Sequence, residues 1–232
     1  MNTVRNLKVL GALAREYSVT LCLENLDDNR VCCTNLLKII NKFYNKESAI
    51  DLLASLLVYN ELKCSGRTHL MKKLGISERS ARKIIKKLLD MGVLMKRKYD
   101  TCINEEINSD FLLENSILKI NDRVITVTSG FCSSILETLD KNIVSLRDYI
   151  VVLNNDPECI ELIGYYNSEK QQFVFPRVPL DYTRKYEKEL AKMKLNRDSI
   201  IVIWKKYRPY RSIATLLYGL YMICLKRIRG NK

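Results

Sequence analysis

Residues 75–98 read GISERSARKIIKKLLDMGVLMKRK, and the order of residue types in this stretch decides the fold. Ser77 is a good helix N-cap, and Glu78 suits the first turn that follows it. Ala81, Ile84, Ile85, Leu88 and Leu89 then recur at helical spacing and form an apolar stripe. Arg79, Lys83, Lys86 and Lys87 fall on the opposite side of the helical wheel, with Arg82 at the flank. Gly92 ends the helix. Val93-Leu94-Met95 reads as a strand that runs directly into Lys96-Arg97-Lys98.

On the N-terminal side, Ala49, Ile50, Leu53, Leu56 and Leu57 repeat at helical spacing. Ser65-Gly66 breaks the chain, Thr68 to Leu74 reads as a short helix, and Gly75 is placed to end it in a left-handed conformation. Helix, short helix, tight turn, third helix and basic strand is the plan of a winged helix-turn-helix. On this reading the unit spans roughly residues 47–128. Ile120 to Thr128 is the expected returning wing strand. About twenty residues separate the two wing strands and include Glu105, Glu106, Asp110 and Glu114. That length implies either an expanded wing or an extra helix near Asp110 to Ser116.

Farther out the pattern is coarser. Residues 1–17 place Val4, Leu7, Leu10 and Ala14 on one side of a helix. Val19 to Leu23 alternates less cleanly, and Asp27-Asp28-Asn29 reads as a turn. Leu36, Leu37, Ile39, Ile40 and Phe43 suit another helix. After the wing, Ser129 to Leu139 reads as a helix. Tyr149 to Leu153, Ile160 to Tyr166 and Phe173 to Phe175 read as strands, with Asn167 to Gln171 as a hairpin loop. Tyr182 to Lys194 reads as a charged helix, Ile200 to Trp204 as a buried strand and Arg211 to Arg227 as a last helix. The expected fold is therefore α+β: a helical leader over residues 1–46, a winged helix-turn-helix over 47–140, and a small α+β domain over 141–232.

A chain of 232 residues can bury a real core as one large domain or two small ones. Arg5, Lys8 and Arg15 interrupt the first apolar residues, so no secretory leader is read there and a cytoplasmic protein is expected. Ile213 to Leu225, bracketed by Arg211 and Lys226, is too short to span a bilayer and reads as a buried helix. The eight cysteines contain no C-x-x-C pair, and His69 is the sole histidine. That pattern argues against structural zinc and suggests reduced thiols.

The net charge is +13 and it is unevenly spread. Residues 1–59 carry +1, residues 60–100 carry +8, residues 101–180 carry −6 and residues 181–232 carry +10. Two basic blocks around an acidic middle point to a polyanionic partner. The third helix of the unit fits a major groove, where Arg or Lys reaches guanine and phosphate. The expected contacts to double-stranded DNA are Arg67, Thr68, Arg79, Ser80, Arg82, Lys83, Lys86, Lys87, Lys96, Arg97 and Lys98. Tyr207, Arg208, Tyr210 and Arg211, in the run YRPYR, interleave aromatics with arginines. They read either as a secondary nucleic-acid contact or as a loop packed on its own domain.

Residues 62–140 also resemble the winged-helix part of an uncharacterised archaeal family with a C-terminal α+β domain. The resemblance rests on Gly66-Arg67 before the short helix and on VTSGFCSSILETL at 127–139. It extends to LRDYIVVLNN, ELIGYY and FVFP, and to DSIIVIWKKYRPYRSIATLLYGLYMI at 198–223. It covers about two thirds of the chain, and the acidic insert departs from it. It implies a regulator with no established activity.

The expected function is a sequence-specific DNA-binding transcriptional regulator, acting as a homodimer and needing no cofactor or metal. One rival is a nucleic-acid-processing enzyme with its site in the C-terminal domain. There Asp148, Asp156, Glu158 and Glu161 are the carboxylates that could hold a metal. The other rival is an adaptor whose winged helix binds protein. A lone histidine and the lack of phosphate-cradling or dinucleotide motifs leave the enzymatic rival without a signature.

Overall fold

The computed structural model describes residues 32–43, 49–98, 100–109 and 113–230. The helix read over residues 1–17, the Val19–Leu23 stretch, the turn at Asp27-Asp28-Asn29 and Cys22 lie outside the described residues. The fold is α+β, as expected.

The first half is helical. Helix α1 (Cys33–Ile40) buries Leu36, Ile39 and Ile40. Helix α2 (Ala49–Leu62) is buried nearly all round, from Leu52 through Tyr59. The short strand β1 (Cys64–Ser65) leads into α3 (Arg67–Leu74) and α4 (Glu78–Asp90). Strands β2 (Leu94–Lys96) and β3 (Thr101–Ile103) follow, and the small antiparallel sheet has the order β1-β3-β2.

The return strand differs from the expectation. Leu94, Met95 and Lys96 pair with Ile103, Cys102 and Thr101, and Arg97 N–H donates to the Asp100 carbonyl at 2.8 Å. The hairpin is thus tight, and the acidic stretch behind it is not a wing insert. That stretch forms the short helix α5 (Glu105–Ser109) and then strand β4 (Glu114–Ile120). The segment read as the return strand is instead β5 (Arg123–Ser129), which pairs with β4 and with the distant β8 (Ser199–Trp204). A three-residue strand is too short to show alternation, so the longer, clearer β5 drew the assignment.

The larger sheet is antiparallel with the order β4-β5-β8-β6-β7, where β6 is Ile160–Asn167 and β7 is Gln172–Val174. All six residues of β8 are buried, as a central strand covered on both faces requires. Ile200, Val202 and Trp204 face the large core shared with α6 (Ser133–Asn154) and α8 (Arg211–Gly230). Ile201 and Ile203 face a second core with Tyr186 and Leu190 of α7 (Leu180–Leu190). Side chains alternate across a strand, so α7 lies on the opposite face of the sheet from α6 and α8. Inside the large core, Trp204 Nε1–H donates to Thr126 Oγ1 at 2.9 Å.

Tyr149 to Leu153 is not a strand. It is the last part of α6, where Ile143, Leu146 and Ile150 are buried at helical spacing. The β-branched run has strand propensity, but packing against α8 overrides it. The helix kinks at Asn142 (φ −122°, ψ 19°), whose Nδ2 donates to the Thr138 carbonyl four residues back at 2.9 Å. A side chain that takes a helical carbonyl bends the helix at that point.

Helix α8 ties the two halves together. Its Ile213, Leu216, Leu217, Leu220, Tyr221 and Cys224 belong to the same core as α1, α2 and α4. Among the described residues, no helix is long and apolar enough to cross a membrane. The thiols expected to be reduced are instead largely paired: Cys32 with Cys132, Cys33 with Cys224 and Cys64 with Cys102. Cys159 is free and buried. Partners separated by 100, 191 and 38 residues leave no local spacing signal to read.

Candidate nucleic-acid interface

Helices α3 and α4 are joined by Gly75-Ile76-Ser77. Gly75 has φ +63°, where a side chain would be strained, and its N–H reaches the Met71 carbonyl at 2.8 Å. Ser77 then caps α4 by accepting from Ser80 N–H at 3.2 Å. Ala81, Ile84 and Leu88 are fully or nearly fully buried, whereas Ile85 and Leu89 are only half-buried. The inward face of α4 is therefore rotated slightly from the stripe drawn on the sequence.

The outward face carries Arg79, Arg82, Lys83, Lys86 and Lys87, all exposed. Arg82 is drawn to Glu78 at 2.6 Å, and Arg67 reaches the same carboxylate at 3.1 Å. The Arg82 guanidinium, with help from Arg67, holds the Glu78 carboxyl below its ordinary range. Arg97 pairs with Glu105 at 3.1 Å. The side chains of Arg79, Lys83, Lys86 and Lys96 make no ion pair or hydrogen bond within the described residues. Thr68 is exposed at the start of α3, and Lys98 is exposed beside the β2–β3 turn. Ser80 is half-buried, and its hydroxyl lies 2.9 Å from that of Ser77, so it serves the cap. The structure thus gathers the expected cations on α3, α4 and the small hairpin. It leaves four of them unpaired.

The YRPYR segment behaves differently. Tyr207 packs against Trp204, with ring centroids 6.4 Å apart. Tyr210 donates to Glu61 Oε2 at 2.7 Å, and Arg211 pairs with Asp51 at 2.6 Å. Only Arg208 is exposed and unpaired as a nucleic-acid contact would need. The segment joins α8 to α2, which no sequence signal indicated, because Tyr210 and Glu61 are 149 residues apart.

The four carboxylates considered for a metal do not converge. Asp148 is exposed on α6, and Asp156 pairs with Lys206 at 2.9 Å. Glu158 donates its backbone N–H to Asp156. Glu161 is half-buried, with its side chain largely covered on the α7 side of the sheet. Among the described residues, no three His, Cys, Asp or Glu side chains gather as a metal site would need.

Glu161 instead fastens α7 to the sheet. Its carboxylate accepts from Arg123, Tyr186 and, at 2.9 Å, Tyr182. Burial alone pushes its acidity weaker, but the Arg123, Tyr186 and Tyr182 hydrogen bonds together outweigh that and bring its pKa from 4.5 down to about 2. A depressed carboxylate pKa adds stability that is complete above the unfolded value of 4.5. That stability is lost as pH falls from there toward about 2. Glu161→Gln keeps the shape but loses charge-assisted bonds, and is expected to cost about 1–3 kcal/mol at neutral pH. Urea denaturation at pH 7 and across the acid range checks it. The wild-type stability should fall more steeply through the acid range than that of the variant.

No family model matches the chain, and no curated protein is similar to it at a significant level. Among solved structures, the chain is similar to a hypothetical protein from Pyrococcus horikoshii OT3. The TM-score is 0.51 at 19% identity, covering 76% of this chain and 93% of the other. That likeness is one of fold.

Proposed function

We propose that the protein is a DNA-binding transcriptional regulator that uses α3 and α4 as a helix-turn-helix and the β2–β3 hairpin as a short wing. The observation that carries this reading is the unpaired set Arg79, Lys83, Lys86 and Lys96 on the exposed side of α4 and the adjoining strand. A helix held by Ala81, Ile84 and Leu88 presents these cations outward, where a major groove offers acceptors on guanine and phosphate. The archaeal winged-helix resemblance is part of the same proposal, supported by a fold like that of the Pyrococcus protein. Homodimerisation is the expected way to read a two-fold symmetric site.

The C-terminal basic block plays a lesser part on this reading. Its helix α7 lies across the large sheet from the core that holds α4. Its cations also serve local acids: Arg184 pairs with Asp181, and Lys192 with Glu189. Removing residues 141–232 would test nothing, because α8 shares a core with α2 and α4. The test is selection of duplexes from a random pool by the full chain, followed by affinity against salt. One enriched sequence is expected, with log affinity falling by about 0.9 per phosphate contact for each unit of log salt. Equal affinity for every duplex and a flat salt profile would overturn the reading.

A further inference from the structure

A cleft of about 850 Å³ opens between the end of α2, the start of β4 and the Tyr207–Tyr210 segment. That volume is in the range of small-molecule sites. Leu57, Phe131, Tyr207 and Ile213 give it apolar and aromatic walls. Two polar groups at the cleft lack partners. Asn60 Oδ1 is buried with no hydrogen bond, and the Tyr207 hydroxyl makes none within the described residues. A buried acceptor left unpaired costs about 1–3 kcal/mol, a cost that a small turn of the Asn60 side chain toward a donor in the cleft would remove.

Two of the three carboxylates at the cleft are ion-paired, and the third is hydrogen-bonded. Glu61 is held by Lys73 at 2.9 Å, and Glu114 by Arg197 at 3.2 Å. Asp198 takes both the N–H and the hydroxyl of Ser168 at 2.8 Å. The lining carries three carboxylates, Glu61, Glu114 and Asp198, against two cations, Lys63 and Arg197, an excess of one negative charge that disfavours an anion, and a ligand with no N–H or O–H would leave Asn60 unsatisfied. Tyr210 adds a further sign. Its φ is +59°, a left-handed conformation that a bulky residue rarely adopts, and such conformations cluster at ligand sites. Its hydroxyl bond to Glu61 and the Lys73 ammonium 5.6 Å from its ring centre hold it there.

We propose that this cleft binds a neutral, planar heterocycle of the nucleobase or nucleoside class. A ring or exocyclic N–H of the ligand donates to Asn60 Oδ1, and the ring lies against Tyr207. The site does not depend on the DNA-binding reading. Where that reading holds, the Tyr210–Glu61–Lys73 link carries occupancy from the cleft to α3.

The test uses the full chain without DNA, so its failure is separate from failure of DNA binding. Adenosine, guanosine, cytidine and uridine are titrated by calorimetry, with each 5′-monophosphate as the anionic comparison. At least one nucleoside is expected to bind, and more tightly than its monophosphate. Asn60→Ala should weaken it by about tenfold or more, and alanine is well tolerated within a helix. If that variant does not fold, Tyr207→Leu removes the stacking face and should weaken binding likewise. Failure of all four nucleosides to bind would overturn the proposal. So would a monophosphate binding more tightly than its nucleoside, or a nucleoside bound with unchanged affinity by whichever variant folds.

Discussion

Leu88→Asp is expected to abolish cooperative folding at neutral pH. Leu88 is fully buried on α4, in one core with Leu53, Leu56 and Val93. Deleting such a leucine side chain costs about 2–5 kcal/mol by itself. A carboxylate without a partner adds a desolvation penalty of several kcal/mol more. The sum approaches the whole stability of a typical domain, about 5–15 kcal/mol. Circular dichroism during urea titration checks it: the variant should show no native baseline. Ile85→Asp provides the contrast. Ile85 is half-buried, so its carboxylate keeps access to water and a weakened but cooperative transition should survive. The opposite ranking would mean that α4 is rotated from the phase described here.

Replacing Arg79 and Lys83 together by alanine is expected to abolish specific DNA binding while leaving the unfolding transition in place. Both side chains are exposed and unpaired, so little folding energy rests on them. Arg79 sits in the first turn of α4, the part of a recognition helix that meets base edges. A good base contact is worth about 1–3 kcal/mol, so two such contacts together approach the usual gap between specific and non-specific affinity. Fluorescence anisotropy at fixed salt, with the selected duplex, measures the loss. Arg82→Ala should lose less, because Arg82 is already engaged by Glu78. Lys188→Glu, on α7 across the sheet, should leave the affinity unchanged. A double variant with wild-type affinity would remove α4 from the interface.

Much of the architecture is legible locally. The apolar repeat in α4, the Ser77 cap and the left-handed Gly75 are all readable from neighbouring residues, because helix phase, capping and turn chemistry act within a few positions. β6, β8 and α8 were also legible, since each is a long apolar or alternating run with clear ends, and the three-residue β7 was marked by the hairpin loop before it. The clustering of cations on α4 follows from the same periodicity.

Where the sequence misled, the deciding partner was distant. By itself the sequence determined the α+β class, the positions of most helices and the charged face of α4, because those depend on residues close along the chain. Only the tertiary structure decided that β5 pairs with β8 rather than closing a wing, and that Tyr149–Leu153 is helical against α8. It also turned Tyr210 and Arg211 inward to Glu61 and Asp51, and joined Cys33 to Cys224. Each of these rests on a contact between segments far apart in sequence. Its energy comes from packing, charge pairing or a covalent link that no local pattern records.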